Sequence, residues 1–231
     1  MRNDQFLRRV LKPLVFVSAL TPAGYLAWAA LTGNLSANPL GDVTNGTGDW
    51  ALRFLCITLA ITPLRRISGW NGAIKFRRML GLFAFLYGGL HVLTYVILDR
   101  LAGLDLSGVN DSWMVSRALA AAVSRDIYKR PFIAVGFTAF TLMIPLAATS
   151  TTGMIRRLGG RRWQALHRLM YLACIAAALH YWSLVKADVR RPVAYGVVIA
   201  TLLAFRLYWA RFHVKQTASR PVVPRVSVAG R

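Results

Sequence analysis

Three histidines, His91, His167 and His180, lie inside long apolar stretches of the chain, each near aromatic and small residues. An ionisable side chain inside a bilayer is costly, so such a residue indicates a functional site by default. His167 and His180 are 13 residues apart on one predicted helix, which is a rise of about 19.5 Å. That rise covers most of the roughly 30 Å hydrocarbon core of a membrane. The spacing is typical of metal ligands stacked across a membrane, as transmembrane electron transfer requires.

The composition identifies an integral membrane protein. The chain has 231 residues, of which 56% are hydrophobic and 16% are charged, well below the quarter or so that soluble domains carry. Its net charge of +21 does not indicate nucleic-acid binding, because the basic residues flank apolar runs and form no continuous face. Cys56 and Cys174 lie within apolar runs and are interpreted as packing residues, since two such cysteines support neither a disulfide framework nor a zinc site.

The apolar runs predict an all-α fold, an integral membrane bundle of six transmembrane helices. The predicted spans are 12–32, 50–65, 79–98, 131–149, 164–184 and 193–212. The expected organisation is a cytoplasmic N-terminus at 1–11, a transmembrane domain at 12–213 and a disordered cytoplasmic tail at 214–231. The long loop at 99–130 is expected to carry a short interfacial helix.

Basic residues are concentrated on one side of this bundle. The two termini and the second-to-third and fourth-to-fifth connections hold 20 of the 29 Lys and Arg residues, against one acid, Asp4. The opposite loops are nearly neutral, because the other seven Asp residues lie there and the chain has no Glu. By the positive-inside rule, both termini are predicted to lie in the cytoplasm.

The third and fifth spans then run parallel, so depth can be compared by counting residues. His91 and His180 fall at a similar depth near the outer face, and His167 falls near the cytoplasmic face beside Arg77, 14 residues before His91. Two imidazoles facing each other across a bundle are a natural axial pair for haem b. An ideal helix would separate His167 and His180 by about 140° around its axis, so tilt, a bulge or differently placed haems must absorb the difference.

The macrocycle needs small and aromatic neighbours, and its propionates need cations. The residues predicted for these roles are Gly81, Gly88, Gly89, Phe83, Phe85, Tyr87 and Tyr95 beside the iron, and Arg77, Arg78, Arg161, Arg162 and Arg168 at the cytoplasmic layer. The fourth histidine, His213, sits beside basic residues at the end of the last span and is interpreted as interfacial.

Four stretches of sequence resemble a known family. They are GDWALRF at 48–54, TPLRR at 62–66, RRMLGL at 77–82 and GGRRWQALHRL at 159–169. Together with the Lys129-Arg130-Pro131 entry to the fourth span, they resemble the haem-binding membrane subunit of the bacterial periplasmic protein-methionine-sulfoxide reductase system. The wider superfamily is the ferric-reductase-like transmembrane domain. Its members carry two haem-ligating histidines on each of two helices, whereas this chain has Arg77 where the first histidine of the third span would stand.

The resemblance implies a multi-pass protein of the bacterial inner membrane that passes electrons through one haem b or two. The donor would be the quinone pool or a cytosolic flavin reductase. The acceptor would be a periplasmic molybdopterin-containing catalytic subunit that repairs methionine sulfoxide in proteins. FMN is implied by the resemblance alone, since no flavin fingerprint is visible in the sequence.

Two other functions remain open on the sequence. The chain could be a stand-alone ferric, metal or oxygen reductase with an open external substrate site, rather than a non-catalytic electron-transfer subunit. A solute or proton transporter is the second alternative, and it predicts carboxylates or broken helices near the middle of the membrane. No Asp lies deep in a predicted span, which disfavours the transporter.

Overall fold

The computed structural model describes residues 5–105 and 111–218, with side chains through residue 212. Within these ranges the chain is helical and contains no strand. The helices are α1 (Lys12–Thr32), α2 (Pro39–Ser68), α3 (Ile74–Leu93), α4 (Ser112–Lys129), α5 (Pro131–Ala148), α6 (Thr152–Leu166), α7 (Leu169–Leu184) and α8 (Arg190–Ala218). A π-helical turn, Leu7–Leu11, precedes α1, and a second π-helical segment, Thr94–Leu101, continues α3.

Local sequence signals set the helix ends. The side chains of Asn38, Asp111 and Thr151 accept hydrogen bonds from backbone N–H groups in the first turns of α2, α4 and α6, which would otherwise lack partners. Gly33 and Gly69 follow α1 and α2 with φ values of 71° and 69°, a left-handed conformation that glycine adopts without strain.

Within the described part of the chain, four helical segments are long and apolar enough to cross a membrane: Leu7–Thr32, Asn71–Leu101, Pro131–Ala148 and Arg190–Phe212. The predicted second span, 50–65, lies within α2, whose polar first turns and Arg53, Arg65 and Arg66 lower its hydropathy. The six-span count therefore stays a prediction, and the integral membrane character rests on the four long segments.

The predicted fifth span, 164–184, is not one continuous helix. The chain leaves α6 after Leu166, passes through a turn at His167 and Arg168, and enters α7, a shorter apolar helix of 16 residues. The expectation that His167 and His180 share one helix is therefore wrong. The break at His167 also removes the angular mismatch, because the two rings are no longer related by a single helical screw.

The helices pack as a bundle in which α2 lies along α3, α5 lies along α7, and α8 contacts both α2 and α7. An aromatic stack joins α2 to α3, where the Phe54 ring lies 5.6 Å from Phe83 and 5.3 Å from Tyr87. The hydroxyl of the fully buried Tyr87 donates to Ala19 O at 2.8 Å and accepts from Ala23 N at 3.0 Å. It therefore bonds to a carbonyl and an N–H group of α1 that are one helical turn apart, next to Pro22. These contacts hold α3, the helix of His91, against two neighbours.

The outer loop does carry a helix, as expected from its sequence. The buried carboxylate of Asp126 on α4 accepts a hydrogen bond from Tyr95 Oη at 2.7 Å and forms an ion pair with Arg100, whose Nε lies 2.8 Å away; both contacts tie α4 to the end of α3. At the other end of the chain, α8 continues through Ala218, past the predicted start of the tail at 214. Residues 1–4, 106–110 and 219–231 lie outside the described part of the chain, as do the side chains of His213 and the rest of 213–218.

Candidate cofactor site

The structure brings His91 and His180 together from α3 and α7. Their ring centroids lie 6.0 Å apart with an angle of 75° between the ring planes. Two imidazoles bound to opposite faces of one metal through bonds of about 2 Å place their centroids roughly 6 Å apart. The plane of each ring would contain the line that joins the two ligating nitrogens through the metal, so the angle between the two planes is free to take any value. The spacing and orientation of the two rings are therefore those of an axial ligand pair.

Each ring is oriented by a backbone carbonyl. The Nδ1 atom of His91 lies 2.8 Å from Thr44 O, and the Nδ1 atom of His180 lies 2.6 Å from Phe132 O. Because a carbonyl oxygen only accepts hydrogen bonds, Nδ1 must carry the proton in both rings, which leaves the Nε2 lone pair available to a metal. A hydrogen bond from the second nitrogen to a carbonyl is the usual support of a metal-ligating histidine.

The two rings pack against two glycines, which leave space for them because they have no side chain. A Cβ atom on Gly48 of α2 would lie 3.0 Å from His91 Nδ1, and a Cβ atom on Gly136 of α5 would lie 2.7 Å from His180 Nδ1. No real Cβ atom comes closer than about 3.0 Å to such a neighbour, so at Gly136 any side chain would displace the ring. Sequence reasoning did not single out either glycine for this role, although Gly48 opens one of the family-like stretches.

The glycines that were predicted beside the iron face other side chains. The Cβ positions of Gly88 and Gly89 point to the Phe140 ring at 3.4 Å and 3.8 Å, and that of Gly81 points to Thr58 at 3.6 Å. The Phe140 ring in turn stacks on Phe85 at 5.3 Å, so these small residues allow α5 to approach α3.

The predicted aromatic neighbours divide into two groups. Phe83 and Tyr87 stack on Phe54 in the core between α2 and α3. Tyr95 lies 6.1 Å from Phe137, the residue after Gly136. It therefore lies at the outer end of the histidine pair and links that end to Asp126.

The layer that the sequence predicts at the cytoplasmic face is built around His167, at the turn between α6 and α7. Its ring stacks on Trp163 with centroids 3.8 Å apart, and its Nδ1 donates to Trp163 O at 3.0 Å. The Trp163 indole donates to Thr149 O at 2.9 Å, which fixes this turn to the end of α5. The Nε2 atom of His167 is buried and has no hydrogen-bond partner among the described residues.

Arg77, the residue expected at the same depth, is close enough to His167 for its charge to act on the imidazole. The two residues are therefore near each other, and their common depth in the membrane stays a prediction. The three other predicted propionate partners on α6 and its end, Arg161, Arg162 and Arg168, are exposed. Arg78 is also exposed and lies 3.5 Å from the Thr152 hydroxyl.

The residues of the outer layer fit haem b. Two imidazoles with centroids 6.0 Å apart, each bonded to a backbone carbonyl and each packed beside a glycine, present a donor set that would suit the iron of one haem. The cytoplasmic layer is different, since it presents one buried imidazole nitrogen and a guanidinium.

Comparison with known proteins identifies the family. The model of the family described as "Ferric reductase like transmembrane component" matches residues 47–178, a stretch that includes His91 and His167 and ends just before His180. No solved structure matches the chain.

Three relatives have the name protein-methionine-sulfoxide reductase heme-binding subunit MsrQ. The protein from Herminiimonas arsenicoxydans is 49% identical over 87% of this chain and 86% of its own length. The protein from Ralstonia nicotianae is 47% identical over 91% and 90%, and that from Azospira oryzae is 44% identical over 85% and 78%. The chain therefore belongs to the ferric-reductase-like transmembrane family and, within it, to the haem-binding subunits of protein-methionine-sulfoxide reductase.

Proposed function

We propose that this chain carries electrons across the bacterial inner membrane through haem b and delivers them to a periplasmic, molybdopterin-containing methionine-sulfoxide reductase subunit. The observation that carries the proposal is the facing pair of His91 and His180, with centroids 6.0 Å apart and both Nδ1 atoms bonded to carbonyls. The name of the relatives supports haem and a methionine-sulfoxide reductase partner.

The geometry favours electron transfer over catalysis at the metal. When bound, haem b supplies a one-electron couple. His91 and His180 would hold the iron, and with both imidazoles bound no position at the iron would be left for a substrate. The carbonyls of Thr44 and Phe132 keep both rings in one tautomer and one orientation, so little has to rearrange when the charge changes.

We also propose a membrane topology for the helices and a point at which electrons enter. We assign the six spans to α1, α2, α3, α5, α7 and α8, with both termini in the cytoplasm. Arg77 and His91 on α3 are then separated by about 21 Å of rise, so the two layers lie near opposite faces of the membrane. We place electron entry, from the quinone pool or a cytosolic flavin reductase, at the His167 layer, where a second haem would have His167 and Arg77 as its neighbours. We assign no residues to FMN.

The function is tested by following reoxidation of the reduced protein. Purified full-length chain, reduced with dithionite in detergent, should reoxidise when the catalytic subunit and a methionine-sulfoxide substrate are added together. It should stay reduced with the substrate alone, because both axial positions of the outer haem are filled. Equally fast reoxidation without the partner would favour the stand-alone reductase, and a purified protein with no haem spectrum would favour the transporter.

A further inference from the structure

Arg206 places a charged side chain within the apolar part of α8, inside the span Arg190–Phe212. Its Nη2 donates to Leu59 O at 2.6 Å, and its Nη1 donates to the Tyr171 hydroxyl at 3.0 Å. The side chain thus joins α8 to α2 and α7 through two bonds and leaves its buried Nε–H group without a partner among the described residues.

One of these bonds has a local explanation. In a regular helix Leu59 O would accept from the N–H of residue 63, but that residue is Pro63 and has no N–H. Arg206 supplies the missing donor, which is how freed carbonyls are commonly satisfied in membrane helices. A neutral amide or hydroxyl could do the same, so this bond does not explain a guanidinium at this position.

The two bonds of Arg206 go to a carbonyl and a hydroxyl, and neither supplies a negative charge. Arg77 lies within electrostatic range of Arg206 and of Tyr171, so two guanidinium groups share this region. Asp49, Asp99, Asp126 and Asp188 form ion pairs with arginines, and all four lie on the outer side in the proposed orientation. Asp4 is the only acidic residue that the sequence places on the cytoplasmic side.

Two cations without a carboxylate inside a bundle are expensive unless an anion joins them. We propose that Arg206, Arg77 and Tyr171 form an anion site in the cytoplasmic half of the bundle, which takes the carboxylate or phosphate group of a cofactor bound beside His167. The inference rests on the proposed function only in naming a cofactor as the source of the anion. Tyr171 follows His167 by four residues, so the anion would lie about one helical turn from the buried imidazole.

The site is tested by what remains bound to the full-length chain after purification. Haem, flavin and phospholipid phosphorus are measured per chain in the wild type, Arg206→Gln, Arg206→Lys and a matched control, Arg211→Gln, which removes an exposed charge from the same helix. Glutamine can still donate to Leu59 O, so the variant removes the charge and spares the link to α2. Loss of a charge-assisted hydrogen bond should weaken retention of the anion by about tenfold, with Arg206→Lys intermediate and Arg211→Gln unchanged.

The identity of the lost group distinguishes the sources. Loss of haem indicates a propionate, and loss of flavin indicates the flavin phosphate; either result supports the proposal. Loss of bound phospholipid alone would show that a lipid headgroup fills the site and would overturn the cofactor assignment. If all three groups stay and only the melting temperature falls, Arg206 does no more than satisfy Leu59 O, and the site does not exist.

Two further controls keep the result interpretable. If Arg206→Gln does not fold, Tyr171→Phe removes the hydroxyl bonded to Nη1 and should weaken retention of the same group in a folded protein; unchanged retention would count against the site. A wild type without haem contradicts the proposed function, whereas a wild type with haem and an unaffected Arg206→Gln contradicts only the anion site.

Discussion

Replacing Gly136 with alanine tests the outer haem site at its tightest contact. The new Cβ atom would lie 2.7 Å from Nδ1, 2.8 Å from Cε1 and 3.2 Å from Cγ of His180. The ring cannot retreat easily, because its Nδ1 is bonded to Phe132 O at 2.6 Å and the Phe132 ring lies 6.3 Å away. Overpacking of this kind costs about 1–3 kcal/mol. Breaking the bond to Phe132 instead would cost about 1 kcal/mol.

This strain exists only while His180 is held in its ligating position, so it should appear as weaker haem binding. At about 1.4 kcal/mol per factor of ten, the dissociation constant of haem should rise roughly ten- to a hundredfold. The matched control is Gly196→Ala on α8, where no heavy atom lies within 4 Å of the added Cβ. At an unhindered helix position alanine is favoured over glycine by about 0.5–1 kcal/mol, so this variant should be as stable as the wild type or more stable.

The assay is haem per chain after stepwise dilution and reconcentration of the purified variants, together with the visible spectrum of the low-spin haem. Gly136→Ala should lose haem at dilutions that leave the wild type and Gly196→Ala loaded. Identical retention and identical spectra in the two alanine variants would refute the view that Gly136 makes room for a ligating His180.

Three other outcomes are expected. His91→Ala and His180→Ala should each abolish the low-spin spectrum or the haem, and a normal spectrum in both would refute the axial pair. His167→Ala should alter haem content, reduction potential or electron entry; if all three are unchanged, the residue is only structural. A C-terminal reporter that is active only when exported should stay inactive, and an active fusion would contradict the cytoplasmic assignment of the termini.

The sequence alone determined the class of the protein and the layers of its site. Apolar runs, the flanking charges and the absence of Glu are local properties of the chain, so they predict membrane helices and their orientation without knowledge of packing. Depth could be read by counting because each residue of a helix adds a constant rise. This is why the outer pairing of His91 with His180, and the shared layer of His167 and Arg77, could be expected before the structure was known.

Tertiary structure decided what depends on neighbouring helices. At the break, the His167 ring stacks on Trp163, and the Trp163 indole is bonded to Thr149 O at the end of α5, so a contact between helices accompanies the turn. Hydropathy carries no trace of such contacts, so the sequence predicted one continuous span.

The groups that orient the two histidines are also far from them in the sequence. Thr44 and Gly48 on α2 serve His91, and Phe132 and Gly136 on α5 serve His180, each pair about one helical turn apart. The supporting groups are two backbone carbonyls and two positions without a side chain. Every residue but proline has the same backbone groups, so a sequence motif does not mark these positions. Their role appears only when the helix that carries them is packed against the ring, because it is the close approach of backbone to imidazole that orients the ligand.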